Sequence, residues 1–200
     1  MRYPPLVLLA VLCATALTAA SDGLQVRSVD GRAFALFAPK GPASAVFFIA
    51  TDCPISNWYA PTIQQVCSDY AVRGVDCTLV YEDLDFGATP AALDAEVRTH
   101  LREYRYGSLT ATVDRTRAVA TRARATVTPS VVLVDRAGAI RYRGRIDNGY
   151  ADLGKPRQHV TSHDLRVSLD AVLAGRQVPV SETDALGCYI ADPAAIQKKR

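Results

Sequence analysis

The chain has 200 residues, a formal net charge of +3, 49% hydrophobic residues and 22% charged residues. Its length suits one domain plus a removable leader, and its composition excludes both a disordered chain and a membrane-embedded one. Acids and bases are interspersed and the terminal Lys198-Lys199-Arg200 reads as a solvated tail, so nucleic acid is not an expected partner.

Residues 1–20 read as a secretory signal peptide. Arg2 gives a positive start, Leu6 to Leu17 is apolar, and Thr18-Ala19-Ala20 offers small residues for cleavage before Ser21. The bulky Leu12 before Cys13 argues against lipoprotein processing. The stretch is too short for a transmembrane helix, so the mature chain, residues 21–200, is expected to lack a membrane span and to be periplasmic or extracellular. Removal of the leader takes Cys13 and leaves Cys53, Cys67, Cys77 and Cys188. Four thiols in an oxidising compartment favour disulfides, and they allow three full pairings.

Residues 24–29 and 33–37 are β-prone runs about Asp30-Gly31, a hairpin signal. The apolar run from Ala45 to Ala50 predicts a strand buried on both faces. A polar loop with Asp52, Cys53 and Pro54 follows. Trp58, Ile63, Val66 and Tyr70 then recur at helical spacing up to Gly74. Residues 75–81 predict a second buried strand, and residues 82–89 an acidic turn. Leu93, Val97, Leu101 and Tyr104 predict an amphipathic helix. A short strand over 109–113 and a short helix over 116–124 come next. Residues 130–134 and 139–142 form a hairpin about the turn 135–138, and residues 144–160 read as a Gly- and Pro-containing loop. Thr161-Ser162-His163-Asp164 has capping-box character and opens a helix that Gly175 stops. A C-terminal tail from about residue 176 carries Cys188. This order predicts an α/β fold, a mixed central sheet flanked by helices on both faces with a C-terminal extension, and a parallel first crossover.

The chemistry concentrates at Cys53. A cysteine between a buried strand and a helix start meets unpaired backbone N–H groups of partial positive charge, which favour the nucleophilic thiolate. Pro54 suits the first helical position because its missing N–H costs nothing there. Thr128-Pro129, directly before a hairpin, is a candidate cis bond that leaves the preceding backbone free to pair with an extended substrate. His159 and His163 are four residues apart but straddle the predicted cap, so they are not expected to share a helix. No metal site and no cofactor are expected.

The ordered set from Phe47 through Asp52-Cys53-Pro54-Ile55-Ser56-Asn57-Trp58, then Val127-Thr128-Pro129-Ser130 with the hairpin after it, and Leu186-Gly187-Cys188 resembles the thioredoxin-like superfamily. Within that superfamily it looks like the exported bacterial redoxins related to alkyl hydroperoxide reductase and thiol-specific antioxidant proteins. The resemblance spans about residues 24–190. It implies a thioredoxin-like fold, thiol–disulfide chemistry at Cys53 and a cis Pro129 facing it, with Asp52, Pro54, Thr128 and Pro129 lining the substrate site. The partner it implies is a protein disulfide, or a small thiol or peroxide.

Thioredoxins place a second cysteine three residues after the first, where this chain has Ser56. A mixed disulfide on Cys53 therefore needs another resolving thiol, and Cys188, in a tail free to reach the site, is the candidate. Cys67 lies nearly four helical turns from Cys53, and Cys67 and Cys77 flank a helix-to-strand turn as a candidate structural bridge. Peroxiredoxins carry Thr or Ser three residues before the reactive cysteine and an Arg where thioredoxins have cis-Pro. Here those places hold Ala50 and Thr128-Pro129, with Arg122 and Arg124 only upstream. The expected activity is exported thiol–disulfide exchange. Peroxide reduction through Cys53 is its rival, and a non-catalytic binding module is the third reading.

Overall fold

The computed structural model describes residues 23–82 and 88–191. The leader expectation over 1–20, Cys13, most of the acidic turn and Lys198 to Arg200 lie outside the described residues.

The fold is built on β3 (Ala43–Ile49), in which every residue is buried. Helix α1 (Pro54–Ala71) leads from it to β4 (Val75–Tyr81), which pairs with β3 in parallel. α2 (Pro90–Glu103) crosses to β5 (Thr110–Val113), parallel to β4. After α3 (Ala118–Ala123) the chain reverses. β6 (Val127–Thr128) and β7 (Ser130–Asp135) flank Pro129, and β7 runs antiparallel to β3. β8 (Ile140–Gly144) closes the hairpin, which gives a five-stranded mixed sheet in the order β5-β4-β3-β7-β8. α4 (Asp164–Leu173) follows.

Successive residues of a strand face opposite ways, and β3 uses both sides. Ala45, Phe47 and Ile49 join the larger core with Ile63 and Val66 of α1 and Leu165 and Leu169 of α4. Val46 and Phe48 join a second core with Val119, Ala120 and Ala123 of α3. The N-terminal hairpin, β1 (Gln25–Arg27) with β2 (Ala33–Ala35), is tied to β5 through Val29 N–H and the Ala111 carbonyl, 2.9 Å apart.

Several elements depart from the sequence reading. Residues 144–160 are not all loop: β9 (Tyr150–Asp152) and β10 (Lys155–Pro156) pair about a turn in which Gly154 adopts φ +69°. α4 is not opened by a capping box. Its N-cap is His163, with no side-chain cap, and the Asn148 carboxamide oxygen instead accepts from Thr161 N–H and Ser162 N–H at 2.9 and 3.0 Å. Trp58 keeps the helical spacing of Ile63, Val66 and Tyr70 but is 40% exposed, set edge-on to Tyr59 and Tyr150. The tail is not free either. β11 (Cys188–Tyr189) pairs antiparallel with β6, Cys188 opposite Thr128 and Tyr189 opposite Val127.

A disulfide joins Cys67, on α1, to Cys77, on β4, with Cα atoms 5.9 Å apart. It lies on the helix-to-strand turn, well removed along α1 from Cys53.

Candidate functional site

Cys53 ends the loop after β3 and is the N-cap of α1, with Pro54 in the first turn. It is fully buried. A disulfide joins it to Cys188 across 135 residues of sequence, with Cα atoms 6.0 Å apart. Its sulfur makes no cap hydrogen bond to the helix. It lies instead 3.2 Å from the carbonyl oxygen of Thr128, to which a reduced thiol would donate. The Thr128-Pro129 peptide is cis. Thr128 and Pro129 are buried against the bridge, and Asp52 and Pro54 stand exposed beside Cys53 in sequence. The helix end therefore acts on the sulfur through its field rather than through a direct N–H bond.

Ser56 stands where a thioredoxin has its second cysteine. It is buried, and its hydroxyl accepts from Ala50 N–H at 3.4 Å, so it serves the backbone of the loop. The two upstream arginines are engaged on other groups. The Arg122 guanidinium lies 4.8 Å from the centroid of the Phe37 ring, and Arg124 pairs with Glu182 at 3.4 Å.

Sequence reasoning missed the relay behind the loop. Asn57 Nδ2 donates to the Thr51 carbonyl at 3.0 Å, which makes its Oδ1 the acceptor facing His100 Nε2 at 2.8 Å. His100 Nε2 therefore carries the proton, Nδ1 accepts, and the Tyr81 hydroxyl donates to it at 2.9 Å. Tyr104 stacks on the imidazole, with centroids 4.4 Å apart. The chain Tyr81–His100–Asn57–Thr51 thus fastens the residues before Cys53 to α2. In the sequence His100 is one residue of an amphipathic helix, and nothing local marks its partners.

Burial lowers the pKa of His100, against a smaller opposite effect of Glu103. The unfolded chain therefore binds a proton on this residue at a pH where the native chain does not. The stabilisation is complete above the ordinary value of 6.5 and is lost as pH falls below it toward the native value. Urea titrations at about pH 8 and about pH 5 are expected to show wild type losing more stability on acidification than His100→Asn. Equal losses would remove the role assigned to the neutral imidazole.

Beside Pro129, a cavity of about 220 Å³ is lined by Tyr59, Pro129 and Leu186 together with the charged Arg145, Asp147 and Arg157. Its wall is held by Tyr59, whose hydroxyl donates to buried Asp147 at 2.8 Å, and by Gly149 N–H, which donates to the same oxygen at 2.8 Å. Burial, then the bond to Asp147, drives the Tyr59 hydroxyl well above the usual phenol range. Tyr142 holds the tail. Its hydroxyl donates to the Arg145 carbonyl at 2.6 Å and lies 2.7 Å from Thr183 Oγ1, and burial pushes its pKa up to about 12. His163 caps α4 and His159 precedes that helix, so the two do not share a helical face.

A mixed sheet with helices on both faces, a cysteine at the first helix start and a cis proline before the closing hairpin together form a thioredoxin-like fold. Solved structures agree. The chain is similar to a hypothetical protein from Sinorhizobium meliloti, at 29% identity over 86% of this chain and 91% of that one, with a TM-score of 0.70. It shares its fold with a thioredoxin-like protein from Aeropyrum pernix, at 16% identity over 77% and 89% of the two chains and a TM-score of 0.53. It also shares it with a secreted Mycobacterium tuberculosis disulfide oxidoreductase homologous to E. coli DsbE, at 16% identity, 76% and 96% coverage and a TM-score of 0.52. No family model matches the sequence, and no curated protein matches it. Among the described residues no helix is long and apolar enough to cross a membrane.

Proposed function

We propose that the protein is an exported thiol–disulfide oxidoreductase in which Cys53 is the nucleophile and Cys188 the resolving thiol. The observation that carries this reading is the Cys53–Cys188 bridge, set at the start of α1 against a cis Thr128-Pro129. The A. pernix and M. tuberculosis structures lend the fold, and the second adds a precedent for disulfide chemistry in a secreted protein.

In the reduced chain the Cys53 thiolate attacks one sulfur of a substrate disulfide. The other substrate sulfur leaves as a thiolate and takes up a proton. Cys188, as thiolate, then attacks Cys53 Sγ, which forms the intramolecular bridge and releases the second substrate thiol. Two electrons have passed from the protein to the substrate. A dithiol donor returns them. Cys53 is fully buried in the bridged state and Cys188 only partly so, so the donor thiolate attacks Cys188 Sγ and Cys53 leaves as a thiolate at the helix end. The donor's second thiol then frees Cys188 as its own disulfide forms. With a partner of opposite potential the overall exchange runs the other way.

Peroxide reduction draws no support from the site: Ala50 stands where a hydroxyl residue would position peroxide, and Arg122 and Arg124 are engaged elsewhere. The test is to run the reduced protein with a model protein disulfide and, separately, with hydrogen peroxide. Disulfide exchange with turnover, and little peroxide consumption, is the expected result. Rapid turnover of peroxide alone would install the antioxidant reading, and inertness in both would leave a binding module.

A further inference from the structure

The strap that carries Cys188 displays what the groove beside Pro129 accepts. It is bound along two edges. Arg143 N–H donates to the Ser181 carbonyl at 3.0 Å, and Thr183 N–H to the Arg143 carbonyl at 3.1 Å. Further on, Cys188 lies opposite Thr128, and Ile190 N–H donates to the Thr126 carbonyl at 2.9 Å. Gly187 is pressed so closely on this edge that a Cβ there would collide with the Thr128 carbonyl oxygen. Gly144, at φ +134°, gives way to the Thr183 carbonyl in the same manner. Leu186 packs against the main core and helps close the cavity with Tyr59, Pro129 and Tyr150. Tyr189, after the cysteine, is 88% exposed. The ion pairs of the exposed Glu182 with Arg124 and with the half-buried Arg143 are long, at 3.4 and 3.8 Å, and such pairs contribute little.

We infer that the groove beside Pro129 prefers a partner segment with glycine directly before the reacting cysteine and a bulky apolar residue before that, and that residues 181–190 hold the place of such a segment in the oxidised chain. The inference rests on Cys53 being the reacting sulfur. Main-chain pairing to residues 126–128 supplies affinity, and the two positions before the cysteine supply selectivity, as in strand addition to a sheet edge. The glycine is selected because any side chain meets the Thr128 carbonyl; the apolar residue is selected because it packs on the main core where Leu186 does. The position after the cysteine faces solvent and selects nothing. While the bridge is closed, the strap is covalently tied and competes at high effective concentration. Opening the bridge leaves the strap held by its hydrogen bonds, the ion pairs of Glu182 and the packing of Leu186 and Ile190, all non-covalent, and an outside strand can exchange with it.

The test uses full-length Cys188→Ser protein and a synthetic peptide, Thr-Asp-Ala-Leu-Gly-Cys-Tyr-Ile-Ala, whose cysteine carries thionitrobenzoate through a disulfide. Cys53 thiolate attacks the peptide sulfur, thionitrobenzoate leaves as the coloured thiolate, and the peptide stays on Cys53. Replacing the peptide's glycine by alanine, or its leucine by serine, is expected to slow capture about tenfold, while replacing its tyrosine by serine changes it little. Adding Gly187→Ala to the protein pushes its own strap off the edge, so capture of the parent peptide quickens. Equal rates for all peptides, or no gain from Gly187→Ala, overturn the inference. The symmetrical thionitrobenzoate disulfide separates the two levels. If Cys53 reacts with it while the peptides are not distinguished, the selectivity fails and the oxidoreductase reading stands; if Cys53 reacts with neither, both fall.

Discussion

Cys53→Ser is expected to abolish disulfide exchange, by about a thousand-fold or more in turnover, because the sulfur that forms and breaks the bond is gone. Cys188→Ser should behave differently. It retains the nucleophile and loses the resolving thiol, so turnover stops after one event and the substrate remains attached to Cys53 as a mixed disulfide. Non-reducing electrophoresis and mass spectrometry of the trapped species distinguish the two variants. The difference follows from geometry: Cys53 is fixed at the start of α1, and Cys188 is brought to it by the pairing of β11 with β6. Loss of activity in both variants with no trapped species in Cys188→Ser would mean that the two sulfurs do not divide the work in this way.

The second large effect concerns stability. The Cys67–Cys77 bridge closes a loop of 10 residues in sequence separation. Chain-entropy reasoning gives about 2.7 kcal/mol for closing a loop of that size, and removal of the buried Cys67 sulfur and the partly buried Cys77 sulfur adds a packing loss. The double variant Cys67→Ala/Cys77→Ala is therefore expected to unfold at roughly 5–10 °C lower temperature, with exchange activity below the transition preserved. Calorimetry together with the exchange assay separates the two consequences. An unchanged melting temperature would show that the bridge does not constrain the unfolded chain, and loss of activity in a folded variant would assign it a redox part.

The legible parts of this fold were those written locally. β3 announces itself as an unbroken apolar run, and the Cys-Pro pair after it marks a helix start by simple stereochemistry. The cis Thr128-Pro129 bond was a candidate from its place before a hairpin. What stayed open depends on contacts between distant residues. Four cysteines allow three pairings, and the choice is made by β11 lying on β6, a two-residue pairing too short to leave a periodic signal. The same pairing turned a supposedly free tail into a strap and filled the groove expected to be open. The hint was there in Gly144 and Gly187, whose missing side chains make room for it, but a glycine in sequence does not say what approaches it. His100 belongs to the same class: its burial face was readable from the spacing of Leu93 and Val97, its bond to Asn57 was not.

Graded reduction followed by differential alkylation and mass mapping addresses the central claim most directly. As dithiol is raised, Cys53 and Cys188 are predicted to become alkylated together at mild reductant, because Cys53 leaves as a thiolate at a helix start, while Cys67 and Cys77, only 10 residues apart and neither at a helix start, remain joined until far stronger reduction or unfolding. Opening of Cys67–Cys77 first, or resistance of Cys53–Cys188 until the chain unfolds, would contradict it and make the bridge at the helix start a structural one.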